Sequence, residues 1–294
     1  MKIALRELRR RPGRFGTATA ILTLIAILLM FLGALLDGLT QSATGALRAQ
    51  DADVIVYSEA ARGSLERSRI DPDMRAAVEG VDDVTDTGGL GFVRLGARLP
   101  DADPRDLAGV ALFGYETPPD GVPDVPAAGE AYADEVLRAD GVEEGMELAL
   151  GPDRSPVTVV GFVDDTSFGG QGALWASPDT WREVLAANRP DAQLADEVFQ
   201  ALVVQGAGST DDLAAAIDDA TGGATETLSV PDAVSAIRDG LPSLRACVAV
   251  SYLAPDRQLP GTTSWDALLA DRGTDTADGP GEPVPFDPPL YVVY

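Results

Sequence analysis

"EAYADEVLRADGVEEGMELALGPDRSPVTVVGFVDDTSFGGQGALWASPDTWREVL", residues 130–185, is the stretch on which the fold turns. Residues 131–139 hold Ala, Glu, Leu and Arg, good helix formers, and predict a helix stopped by Gly141. Gly145 then precedes a predicted strand over 146–150, and a loop at 151–156 leads to another over 157–163, rich in Val. Beyond a glycine-rich loop, "ALWAS" at 173–177 reads as a strand ending on Ser177, which is placed to cap a helix opening with Pro178. Trp175 and Trp181 are expected to be core residues packed between that strand and that helix, ahead of any ligand stacking.

Working outward, the pattern becomes strand, helix, strand on both sides. Toward the N-terminus, "DADVIVYS" (51–58) is uniformly apolar at its centre and predicts a buried strand. "DPDMRAAVEGV" (71–81) predicts a helix with Asp71 as cap, Pro72 at its first position, Met74, Ala77 and Val78 on one face, and Gly80 as stop. Two strands follow in "GFVRLGARL" (91–99) and "LAGVALFGYE" (107–116), and the Pro/Gly-dense link at 117–129 marks a subdomain boundary. Toward the C-terminus, "VFQALVVQ" (198–205) is a strand, and Ser209 caps a helix over 210–220, with Asp212 near the capping-box place and Gly222 and Gly223 ending it. "ATETLSV" (224–230) is another strand and "PDAVSAIRDG" (231–240) a short helix. The two outer patterns are expected to pair into one split α/β layer, with a β-rich subdomain at about 120–195 inserted into it.

Residues 16–36 are apolar and free of charge, long enough to cross a bilayer as a helix. Six basic groups (Lys2, Arg6, Arg9, Arg10, Arg11, Arg14) and one acid, Glu7, precede Asp37. This asymmetry predicts a cytoplasmic segment at 1–15, a transmembrane helix at 16–36 and an extracytoplasmic body at 37–240. The apolar run is longer than a signal peptide's, and the small-residue pairs after it, such as Ala43 and Gly45, are imperfect for cleavage, so retention is the preferred reading. A twin-arginine signal is weaker, because Pro12 and Gly13 follow the arginines. The basic stretch either lies on the inner headgroups as a short amphipathic helix, with Pro12 and Gly13 turning the chain into the membrane, or only sets topology.

From Asp37 onward the net charge is −30, a balance that argues against nucleic acid and anionic membrane surfaces as partners of the body. GC-rich coding and adaptation to salt both account for it. The chain has no His and one Cys, Cys247, so a His-containing triad, the common zinc and copper sites and an intrachain disulfide are excluded. Its single lysine, Lys2, excludes a G-x-x-x-x-G-K-[ST] phosphate loop. The doublets Asp51/Asp53, Asp101/Asp103 and Asp164/Asp165 lack EF-hand spacing and read as solvated charge, with Asp164/Asp165 the weak candidate for an acid/base pair. "SFGGQG" (167–172) reads as a flexible surface loop able to touch a partner. No catalytic, cofactor-binding or metal-ligating residue is assigned, and no enzyme activity or cofactor is expected.

The order of features resembles the FtsX/MacB-type ABC transporter permeases. The likeness runs through "ALRELRRRPGRF" into the first membrane helix, then "DADVIVYS", then "ADEVLRADGVEEGMELALG" with "VTVVGFV", then "LWASPDTWREV", and covers about residues 4–240. It implies an α+β fold: one N-terminal transmembrane helix, then an extracytoplasmic MacB-like domain with a split α/β half and an inserted β-rich half. It also implies a permease of an export or mechanotransmission system in the cell membrane, dimeric with itself or a second permease, driven by a separate ABC ATPase, with a cell-envelope protein as a further partner. The family's three later membrane helices have no counterpart here. Residues 241–294 are Pro-, Gly- and Asp-rich and are expected to be a disordered tail, the mark of a truncated or out-of-frame permease. The alternative is a single-span, membrane-anchored extracytoplasmic binding or sensor domain.

Overall fold

Thirty-seven residues, Pro12–Arg48, form the first helix, α1. At 1.5 Å per residue it is about 55 Å long, against a hydrocarbon core of about 30 Å, so one end must project from a bilayer. The computed structural model describes residues 12–240 apart from 101–102, 104–106, 193 and 196; the side chains of 12–16, 18 and 238–240 lie outside it as well. The expected basic stretch before residue 12 and the expected tail at 241–294 lie outside the described residues. Among the described residues α1 is the one helix long and apolar enough to span a membrane.

Two expectations about this helix are corrected. Pro12 and Gly13 are already helical and make no turn. The helix expected to end at residue 36 runs on through residues 37–48. Their hydroxyls bond back to helix carbonyls, Thr40 Oγ1 to Leu36 O at 2.9 Å and Thr44 Oγ1 to Thr40 O at 2.9 Å, so polar side chains are satisfied without leaving it. Ala43, Ala46 and Leu47, at helical spacing, are buried.

The fold is α+β. Among the described residues nine strands form one sheet: β1 (Val54–Ser58), β2 (Val84–Arg98), β3 (Ala108–Tyr115), β4 (Glu130–Asp134), β5 (Glu147–Leu150), β6 (Ser155–Val163), β7 (Gly172–Ala176), β8 (Ala201–Gly206) and β9 (Thr225–Ser229). The helices are α2 (Pro72–Glu79), α3 (Pro178–Asn188), α4 (Thr210–Ala220) and α5 (Val230–Gly240). Strands β2, β3, β7, β4, β6 and β5 pair in that order, and β5 returns to β2 at Ala97 and Arg98, closing a six-stranded barrel. The N-terminal part of β2, Val84–Leu90, pairs instead with β8, which continues through β1 to β9 as an open antiparallel sheet. One 15-residue strand thus belongs to both halves.

The period of two distributes each strand between separate cores. Val93, Leu95 and Ala97 of β2, with Val110 and Leu112 of β3 and Leu174 of β7, fill the barrel under Trp181, Val184 and Leu185 of α3. Their alternates, Phe92, Phe113, Tyr115 and Trp175, face outward into a second core shared with Ile55, Tyr57, Ala46 and Leu47. Val54, Val56, Leu202 and Val204 turn to the opposite side of the open sheet and pack on Val78 of α2 and Leu213 and Ile217 of α4. Both faces of β1 and β8 are covered, which is why "DADVIVYS" is apolar at consecutive positions.

Two further expectations give way here. The helix expected over 131–139 is strand β4 followed by a 3₁₀ segment, Glu135–Asp140, because pairing with β6 on one side and β7 on the other outweighs helix propensity. Gly141 does end that segment, at φ 92°. Trp175 and Trp181 are both fully buried core residues, as expected, but they belong to different cores rather than to one between the strand and the helix. Trp175 stacks on Phe113 at 4.6 Å in the outer core, whereas Trp181 lies over Gly91 and Gly114 and stacks on Phe199 at 6.0 Å. The caps are as expected: Asp71 accepts from Met74 N, Ser177 from Thr180 N and Ser209 from Asp212 N.

Candidate functional site

The arrangement that stands out chemically is the place where α1 enters the domain. The loop between β6 and β7, Asp164–Gln171, crosses α1 backbone against backbone. Ala46 N donates to Ser167 O at 3.2 Å, Gly169 N to Ala43 O at 3.1 Å and Gly170 N to Ser42 O at 3.2 Å. Such an approach needs a helix without a side chain at the crossing point. Gly45 provides it: a Cβ there would lie 2.6 Å from Asp165 O and 2.8 Å from Ser167 O.

The loop is held on its other side by a buried carboxylate. Asp134, 2% exposed at the end of β4, takes Thr166 N and Thr166 Oγ1 on Oδ2, both at 2.8 Å, and Val136 N on Oδ1 at 2.9 Å. Three donors compensate the cost of burying the charge. Asp165 then turns the chain in the left-handed region (φ 59°), a conformation Asp tolerates, and aims its side chain back at the helix. Its Oδ1 accepts from Arg48 Nη2 at 3.0 Å and from Gln41 Nε2 at 3.1 Å. Gly169 and Gly170, at φ 58° and 76°, complete the turn.

Phe168 anchors the crossing. It is buried and meets Phe92 and Phe113 edge-on, with centroids at 5.0 and 5.5 Å. The loop expected to be flexible is therefore pinned at both sides by hydrogen bonds and in the middle by an aromatic ring.

The last described helix flanks the first. Ala233 and Val234 of α5 are buried in the same core as Ala46 and Leu47. A cavity of about 260 Å³ lies beside them, lined by Ala43, Leu47, Tyr57, Phe168, Ala236 and Ile237 among others. Burial, and then the charge of Glu226, pushes the Tyr57 phenol well above its usual range, so it is neutral at physiological pH. The first and last described helices therefore share one core.

The weak acid/base candidate separates into two roles. Asp164 is exposed, and Asp165 serves as the ion-pair partner of α1. Asp53, of the first doublet, accepts from Gly206 N at 2.9 Å, and Asp101 lies outside the described residues. Asp134, Thr166 and Phe168 were not singled out by sequence, and Gly45 was weighed only as part of a cleavage site. A usable signal existed for Gly45, which sits among Ala43, Ala46 and Leu47 at helical spacing. None existed for Asp134, whose partner is 32 residues away.

No family model matches the chain, and neither does the sequence of any curated protein. Among solved structures, the fold is similar to the periplasmic region of MacB from Actinobacillus actinomycetemcomitans. The match is 10% identical, covers 66% of this chain and 96% of that one, and has a TM-score of 0.43. It is also similar to the extracellular domain of the noncanonic ABC-type transporter YknZ from Gram-positive bacteria, with 13% identity, coverage of 61% and 100%, and a TM-score of 0.39. One neighbour is a periplasmic region and the other an extracellular domain; in this chain the α+β domain follows one N-terminal apolar helix.

Proposed function

We propose that this chain is the membrane-anchored, non-enzymatic permease subunit of an ABC-type export or mechanotransmission system. In this reading a separate ATPase drives it from the cytoplasm, residues before α1 are cytoplasmic, and the domain is outside. The supporting observation is the continuity of α1. A helix that runs unbroken out of its apolar segment and is bonded by its backbone to the loop at Asp164–Gln171 carries any tilt or shift of the membrane end into the barrel. Asp134, Thr166 and Phe168 keep that joint from absorbing the motion. The single lysine, Lys2, which leaves these 294 residues without a phosphate loop, agrees with an ATPase supplied separately.

The test is purification of the tagged chain from its native membrane in mild detergent. Vanadate-sensitive ATP hydrolysis should elute with it, and Gly45→Val should leave the complex assembled while abolishing its dependence on outside substrate. Topology is checked with Asp219→Cys in a Cys247→Ser background: an impermeant maleimide added outside should label it. Labelling only after lysis, or elution of a monomer without ATPase, would overturn the proposal. The second reading, an anchored binding or sensor domain, draws its support from an arginine-lined cleft at the seam of the two halves.

A further inference from the structure

In a body of net charge −30, guanidinium groups sharing a hollow with a single carboxylate are unexpected. A cleft of about 210 Å³ has this character, lined by Arg69, Arg94 and Arg189 with Glu66 at its edge. It lies at the seam: Arg94 is on barrel strand β2, Arg189 ends α3, and Arg69 precedes α2 on the open-sheet side.

Among the described residues, Arg69 and Arg189 have no carboxylate within 4.0 Å, and Arg94 has only Glu66 at 3.8 Å. Arg75, by contrast, is paired with Glu79 at 2.7 Å and Glu116 at 2.9 Å. Arg69 Nη1 donates to two backbone carbonyls, Glu66 O and Ser68 O, which fixes the side chain and leaves its remaining N–H groups free. Burial draws its pKa below the usual arginine value.

A fourth donor is independent of these charges. Gln200 is 4% exposed and lines the cleft; its Oε1 accepts from Phe92 N, which leaves its NH₂ without an acceptor among the described residues. The apolar part of the wall is Phe92, Leu185 and Ala192. A purely structural account covers Arg189, whose charge suits the C-terminal end of α3. It leaves the convergence of Arg69, Arg94 and the amide of Gln200 unexplained.

We infer that this cleft binds a small organic anion bearing a phosphate group, its oxygens taken by Arg69, Arg94, Arg189 and the amide of Gln200, and its apolar portion laid on Phe92, Leu185 and Ala192. Planar guanidinium forks and an amide donor drawn from both halves suit an oxyanion with several acceptor oxygens. Glu66 and Arg94 also line the cavity beside α1, so the bound anion tightens the seam next to the helix joint. The inference stands whether or not the chain is a permease.

The experiment is calorimetric titration of the full chain in neutral detergent with sn-glycerol 3-phosphate, with inorganic phosphate as the minimal probe. Saturable binding is expected, weakened about tenfold or more in the Arg69→Gln/Arg189→Gln double variant. Arg154→Gln, on an exposed turn and not among the residues lining the cleft, should leave it unchanged. Arg189→Lys, which keeps the charge and loses the fork, should fall between. Melting curves of every variant without ligand separate loss of the site from loss of the fold. Repeating the titration in neutral and in phosphatidylglycerol nanodiscs identifies the source. Weaker glycerol phosphate binding in the anionic discs means that lipid headgroups fill the cleft, and equal binding means a free anion. Absence of saturable binding at millimolar concentration, or equal affinity in the double variant, would overturn the inference.

Discussion

The two ends of α1 solve different problems with one helix. Along its N-terminal part, Leu22, Leu24, Leu28 and Phe31 are all more than 60% exposed, a surface suited to lipid. Fifteen residues after Phe31, Ala46 is fully buried, and its neighbours are Ala43, Gly45 and Leu47. The first part relies on large apolar side chains that need no fixed partner. The second relies on small ones, because its partner is a backbone at hydrogen-bonding distance. The difference teaches that hydropathy marks where a helix meets lipid but says little about where it ends.

The comparison is broken most severely at the aromatic anchor. Phe168→Ala removes the ring packed on Phe92 and Phe113 and should cost about 3–5 kcal/mol, read as a lower midpoint of urea unfolding with unchanged slope. It should also expose residues 37–52 to protease. Unchanged stability would mean that the loop crossing does not depend on its ring. At the lipid end, Leu28→Arg places a charge at the middle of the span and should cost about 3 kcal/mol of insertion. Its readout is the fraction of chain in the membrane, while the unfolding of the domain stays as in the parent. A parallel loss of domain stability would show that α1 touches the domain further toward its N-terminus than Gln41.

Much of the architecture was legible because it rests on local rules. Asp71, Ser177 and Ser209 were readable as caps since each bonds a backbone N–H three residues on. The doubly covered strand β1 was readable from consecutive Val54, Ile55 and Val56. What escaped was decided by distant partners. Residues 131–134 have helical preferences, and only β6 and β7 on either side make them a strand. The polar residues 37–48 were not read as helix because the helix there is stabilised by a loop more than 115 positions away. Nothing in the sequence signalled that Arg69, Arg94, Arg189 and Gln200 meet, since their elements join only when β2 bridges barrel and sheet.

A smaller effect sharpens the comparison inside the buried end. Gly45→Val leaves the helix intact but drives a side chain into backbone carbonyls that cannot yield, at an expected cost of about 2 kcal/mol. Gly38→Val on the same helix, where a Cβ meets nothing within 4 Å, is the control and should be near neutral. Proteolysis between residues 37 and 52 should accelerate in the first variant only. Equal behaviour of the two would remove the argument that Gly45 is there for close approach.

The smallest effect belongs to the pair that is easiest to see. Arg48 and Asp165 meet at 3.0 Å, yet their side chains are 36% and 55% exposed, so water and salt compete for both charges. A double-mutant cycle with Arg48→Ala and Asp165→Ala should return a coupling of about 0.2–1 kcal/mol, falling further as ionic strength rises. Asp165→Ala carries a second consequence, because the left-handed turn it occupies is less comfortable for Ala; Asp165→Gly separates that strain from the lost ion pair. If the coupling were several-fold larger, the joint would be held by charge rather than by Gly45, Asp134 and Phe168. High salt would then release the helix from the domain, an outcome that circular dichroism and protease sensitivity in molar salt would detect directly.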